Sequence, residues 1–112
     1  MFVYLIGNKQ HRVLKIGVSR RPQERLAELQ KYNPYDLTVF ATVAFADFDA
    51  AQDFEQTLHR CLESHRLRGE WFKLTGLVGE LVVAAEKTPD PQHLLRVVDF
   101  SDAVEALEQN AV

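Results

Sequence analysis

Two short runs near the N-terminus, Phe2 to Lys9 and Arg12 to Gly17, are apolar and β-branched and are separated by a polar bridge. That arrangement is a β-hairpin signal, and it constrains the fold more than any other part of the chain. A symmetric four-residue loop of Asn8, Lys9, Gln10 and His11 would pair Gly7 with Arg12 and set Tyr4 directly opposite Lys15. Directly opposed side chains share one face of the sheet. The other face then carries Val3, Leu5, Leu14 and Ile16, all apolar, as a core-facing sheet requires. The expected hairpin therefore projects a phenol and an ammonium together from its outer face.

A chain of 112 residues supports one domain with a modest core. No apolar run approaches membrane-spanning length, and the N-terminus lacks the charged-then-apolar order of a secretory signal. A single cysteine excludes a disulfide framework, so the expectation is a cytoplasmic protein with no membrane partner. The net charge of −3 is unevenly spread. Residues 1–33 hold seven Lys/Arg (Lys9, Arg12, Lys15, Arg20, Arg21, Arg25, Lys31) against Glu24 and Glu28, a balance of +5. Residues 74–112 hold Lys87 and Arg96 against seven carboxylates, a balance of −5. A basic N-terminal surface suits phosphate.

Beyond the hairpin, Ser19 is a candidate cap and Pro22 fits the first turn of a helix whose apolar stripe is Leu26 and Leu29. Asn33-Pro34 stops it, and Leu37 to Phe45 is the clearest strand in the chain. Asp47 or Asp49 can cap a second helix from about Ala50 to His65, with Ala51, Phe54, Leu58, Cys61 and Leu62 inward. Arg66 to Glu70 reads as a charged turn and Trp71 to Leu74 as a closing strand. A third helix from Thr75 to Lys87 turns Leu77, Val78, Leu81, Val82 and Ala85 inward. The stretch Thr88 to Pro91 is a break, and the acidic tail from Ser101 reads as a short amphipathic helix.

This order of elements, with Tyr4, Lys15-Ile16-Gly17, Arg25, Glu55-Gln56-Thr57-Leu58-His59 and Gly69-Glu70-Trp71-Phe72, resembles the GIY-YIG nuclease superfamily. The resemblance is to its phage and bacterial branch related to the meiotically-up-regulated-gene domain, and it covers residues 2–74. It implies that Tyr4 is a general base or water-positioner, Arg25 a phosphate-binding arginine and Glu55 the ligand of a divalent metal, Mg²⁺ or Mn²⁺. Lys15 stands where the parent family has a second tyrosine, and the family's late asparagine has no counterpart.

These residue types suit phosphodiester hydrolysis, which needs a nucleophilic water, charge neutralisation and help for the leaving oxygen. A lysine opposite Tyr4 would favour the phenolate. Arg25 offers a planar cation and Glu55 a hard oxygen ligand. Gly17 would remove a side chain where nucleic acid approaches, and Arg20, Arg21, Lys31 and His59 would contact it. Each residue also has an ordinary reading. Tyr4 fits simple packing, Lys15 edge protection, and Arg25 a surface pair with Glu24 or Glu28. His59 fits phosphate binding, orientation of Glu55, or a satisfied histidine, while Glu70 reads as structural, bonding the backbone. Glu55 lies at the margin of its helix's buried stripe, where a carboxylate is costly unless bonded or metal-bound. The set His59, Cys61 and His65 lacks both the spacing and the fourth ligand of structural zinc.

The expected architecture is α/β: a small, mostly antiparallel sheet (β-β-α-β-α-β) flanked by helices, with residues 1–74 as the nuclease-like unit and 75–112 as a helical extension packed on it. The expected activity is metal-dependent endonucleolytic cleavage of DNA. The alternatives are a non-catalytic DNA-binding module of a phage or mobile-element pathway, or a small interaction protein. The C-terminal segment, where Val97, Val98, Phe100, Val104 and Leu107 offer apolar surface that needs cover, is expected to be non-catalytic and to serve as a lid, a helical cap on the sheet or a homodimer contact.

Overall fold

A computed structural model of the protein describes residues 1–99. The elements are β1 (Phe2–Asn8), β2 (Val13–Ser19), α1 (Pro22–Gln30), β3 (Thr38–Ala44), α2 (Phe48–Cys61), a 3₁₀ turn (Glu63–His65), β4 (Arg66–Arg68), β5 (Trp71–Lys73) and α3 (Leu77–Lys87). A further helix, α4, covers residues 91–99. The strands form one sheet in the order β3-β1-β2-β5-β4, every neighbouring pair antiparallel. The mostly antiparallel α/β class read from sequence is what the chain adopts, with two closing strands where one was expected. Asp47 caps α2 by accepting a hydrogen bond from the Ala50 amide (2.8 Å). Asp90 does the same for α4 through the His93 amide (2.9 Å), with Pro91 in the first turn. The helix expected from Ser101, with Phe100, Val104 and Leu107, lies outside the described residues.

Both faces of the sheet are covered. On one, Val3, Leu5, Leu14, Ile16, Val43 and Phe72 pack against Phe54, Leu58 and Leu62 of the α2 segment, the inward face of α3, and Leu94 and Val98 of α4. On the other, Tyr4, Ile6 and Leu37 pack with Val39, Trp71 and the α1 residues Leu26 and Leu29. A bulge in β3 lets the sheet serve both layers. Leu5 pairs with Ala41 but Ile6 with Val39, so Phe40 is the extra residue and packs with Ala41 on the α2–α3 side.

The hairpin is real, but its register differs from the expected one. Tyr4 pairs with Gly17, and Lys15 pairs with Ile6. The loop still has four residues but begins one position later, after Asn8, which pairs with Val13. The Asn8 side chain accepts a hydrogen bond from the His11 amide (2.7 Å), and Arg12 takes a left-handed conformation (φ 56°) to finish the turn. Moving the loop by one residue moves every pair by two, so the residues of each face are unchanged. The solvated outer face does not survive: Tyr4 is 1% exposed, because α1 covers it.

Candidate active site

The candidate site lies where β2 and β5 part. β5 pairs with β2 only from Val13 to Lys15, and the β4–β5 hairpin then turns through Gly69 and Glu70. Gly69 has a positive φ (56°), which glycine adopts without steric cost and which this two-residue turn requires. The turn brings the Glu70 carbonyl to the Ile16 amide (3.2 Å) and the Glu70 carboxylate to the Lys15 ammonium (3.2 Å). Lys15 is almost covered, its ammonium 5.5 Å from the centroid of the Trp71 ring.

From the other side α2 closes the gap. His59 Nε2 donates to the Ile16 carbonyl (2.9 Å), a backbone group that β5 leaves unpaired. Its ring stands edge-on to Phe72, with centroids 4.9 Å apart. One turn earlier, Glu55 presents its carboxylate 4.0 Å from the same nitrogen. Of the readings open for His59, the structure displays backbone satisfaction with Glu55 beside it. The Glu55 carboxyl is pushed up to about 7, chiefly by burial and then by the negative charge of Glu70, with Lys15 opposing.

Tyr4 and Arg25 complete the cluster. The Arg25 guanidinium lies close enough to the Tyr4 phenol to favour its ionised form, and it bonds Glu28 Oε2 (2.9 Å). Burial holds the Tyr4 phenol above its ordinary value of 10; Arg25 opposes this, while the charges of Glu70 and Glu55 add to it. The expected phenolate, stabilised by a facing lysine, is therefore overturned. Lys15 is not opposite Tyr4, and desolvation outweighs the neighbouring arginine. Arg25 forms the expected surface pair with Glu28 and also acts electrostatically on the buried phenol.

Residues 1–100 match the T5orf172 domain family. The chain belongs to this family. The T5orf172 domain is also 32% identical, over 92 residues, to protein 315L of Invertebrate iridescent virus 6, which is named for a KilA-N domain. The alignment covers 82% of this chain but 38% of that relative, so the chain spans well under half of the viral protein's length. No solved structure matches the chain.

The remaining sequence candidates are distributed around this cluster. Arg20 and Arg21 join Arg25 in a groove of about 400 Å³ at the start of α1, together with Ser19, Glu24 and Glu28. Arg21 pairs with Glu24 (3.3 Å). Lys31 sits exposed at the opposite end of α1, away from that groove. Gly17 is buried, and the space its missing side chain leaves is filled by the Tyr4 ring rather than open to nucleic acid. Ser19 does not cap α1 but accepts from the Arg21 amide (3.0 Å). Glu70 is the residue that sequence reasoning left out of the site. Among the described residues its side chain does not take up the expected bond to the backbone; its own carbonyl accepts from the Ile16 amide, while the side chain holds Lys15 and acts on both Glu55 and Tyr4. The signal available was its place in Gly69-Glu70-Trp71-Phe72, directly before the strand that pairs with Lys15.

Among the described residues no helix is long and apolar enough to cross a membrane.

Proposed function

We propose that this T5orf172 domain is a metal-dependent endonuclease of the GIY-YIG type that hydrolyses DNA phosphodiester bonds. The observation that carries the reading is the convergence of Tyr4, Arg25, Lys15, Glu55 and Glu70 on one cluster whose members act on one another electrostatically. Family membership supports a DNA-binding or nuclease-like module. The donor set suits a hard divalent cation: Glu55 is a largely buried carboxylate with the charge of Glu70 close by, a repulsion that bound positive charge relieves. Among the described residues no group of three or more His, Cys, Asp and Glu stands ready to enclose a metal. Magnesium binds one or two carboxylates and keeps water and phosphate as its other ligands, so this reading asks only Glu55 of the protein. Bound at Glu55, magnesium would supply charge neutralisation and an acidified water.

The protein groups then have defined tasks. Arg25, lining the basic groove, holds a phosphate oxygen with the guanidinium edges left free by Glu28. Tyr4, whose phenol burial holds above its ordinary value, acts as a hydrogen-bond partner that positions water or phosphate. Lys15, pinned by Glu70, tempers the negative charge at Glu55. In the reaction a water oxygen bonds to phosphorus as the bond to the departing sugar oxygen breaks. That oxygen takes one of the water's protons, and the other stays on the new phosphate or passes to solvent. The test is nicking of supercoiled plasmid by the purified protein with Mg²⁺ or Mn²⁺ and with EDTA. Cleavage confined to the metal-containing samples supports the reading; binding without cleavage in any of them supports the non-catalytic DNA-binding alternative.

A further inference from the structure

We infer that the nucleic-acid path does not end at the cluster but continues over the outer face of α2, where Arg60 holds a backbone phosphate. The inference rests on the DNA-directed reading above and extends its footprint. The cluster is flanked by two grooves, each sharing one residue with it: Arg25 on the α1 side and His59 on the α2 side. The α2 groove, of about 580 Å³, is lined by Asp53, Gln56, Thr57, His59, Arg60 and Arg66. On α2 the pair Gln56 and Arg60 forms the stripe next to Glu55 and His59, so site and groove are adjacent faces of one helix. Arg60 is exposed and makes no ion pair among the described residues; Thr57 Oγ1 accepts from it at 3.3 Å, and Thr57 is itself anchored on the Asp53 carbonyl (2.8 Å). Arg66 is different. It lies over the Phe72 ring and is bound to Glu63 and to the Gly69 carbonyl, so it forms the groove wall with most of its charge answered. Asp53 stands at the rim as the opposing charge, which leaves Arg60 as the group able to take a phosphate. Five residues of helix separate Glu55 from Arg60, a rise of about 7.5 Å with a turn of about 140° around the axis, so a path from one to the other crosses the helix surface through Gln56 and His59.

The test is fluorescence anisotropy of a labelled DNA oligonucleotide with the full chain in EDTA, from about 50 to 200 mM salt. The variants are Arg60→Ala, Arg60→Lys and, as the comparison on the α1 side, Arg20→Ala. Loss of one phosphate contact lowers the magnitude of the log–log salt slope by about 0.7–0.9. Arg60→Ala should show that loss with an unchanged melting temperature, and Arg60→Lys should restore most of it. If Arg20→Ala lowers the slope while Arg60→Ala matches wild type, the α2 path is overturned and the DNA reading stands. If wild type fails to bind at the lowest salt, both are overturned.

Discussion

The Tyr4 ring lies directly over Gly17: a Cβ at position 17 would sit 2.2 Å from the phenol oxygen and 2.4 Å from Cζ. The two residues pair across β1 and β2, so the glycine is what admits the aromatic ring to the α1 side of the sheet. Gly17→Ala should destabilise the fold by about 1–3 kcal/mol through overpacking, measured by urea unfolding. In a Tyr4→Ala background the same substitution should cost far less, because the ring it meets is gone. Equal costs in both backgrounds would remove the contact from the account.

Tyr4 should ionise above pH 10. The raised phenol is set by burial, which Arg25 only partly offsets. The difference in phenolate absorbance between wild type and Tyr4→Phe isolates this one group. A phenolate detected near neutral pH would favour the general-base role.

Much of this was legible in the sequence, and the losses have physical causes. The alternation of Val3, Leu5, Leu14 and Ile16 fixed which residues face the main core, since a shift of two leaves the pleat unchanged. Loop placement was not legible, because it depended on a side-chain bond from Asn8 and a left-handed Arg12. The burial of Tyr4 had a readable sign: Ile6, two residues on and hence on the same face, is as apolar as any core residue. Helix α2 and the position of Glu55 at its margin followed from helical spacing. The Lys15–Glu70 pair did not, since it depends on which strand β5 chooses and where the pairing ends. Helix α4 was missed because Pro89 and Pro91 read as a break, whereas Pro91 occupies a helix's first turn.

Glu55 gives folding a specific pH dependence. Its carboxyl sits at about 7 in the folded protein against 4.5 for the free group, so the native state holds a proton that the unfolded chain has released between those values. Its contribution is therefore fully present below about pH 4.5 and is lost as pH rises through about 7. Allowing for solvent at the rim of the site, about 1–3 kcal/mol is at stake. Thermal melts from pH 5 to pH 8, in about half-unit steps, should show this decline in wild type and a flatter profile in Glu55→Gln. Indistinguishable profiles would mean that Glu55 is not held as described.

Lys15 and Glu70 should move that decline in opposite directions. Glu70 raises the Glu55 carboxyl and Lys15 lowers it. Lys15→Met should therefore shift the midpoint of the stability loss to higher pH, and Glu70→Gln to lower pH. The same melt series reads both. Shifts of the same sign would break the proposed electrostatic link among the three residues.

The most direct measurement of the central claim compares wild type with Glu55→Gln on one supercoiled plasmid, with Mg²⁺ or Mn²⁺, at about pH 8, where the Glu55 carboxylate is ionised. DNA affinity is measured on the same preparations in EDTA. Wild type should nick the plasmid only with metal. Glu55→Gln should lose on the order of a hundredfold or more in rate, as expected when transition-state charge stabilisation is removed, with DNA affinity unchanged or slightly tighter. A wild type that binds but never cleaves, or a Glu55→Gln protein that nicks at the wild-type rate, would contradict the account.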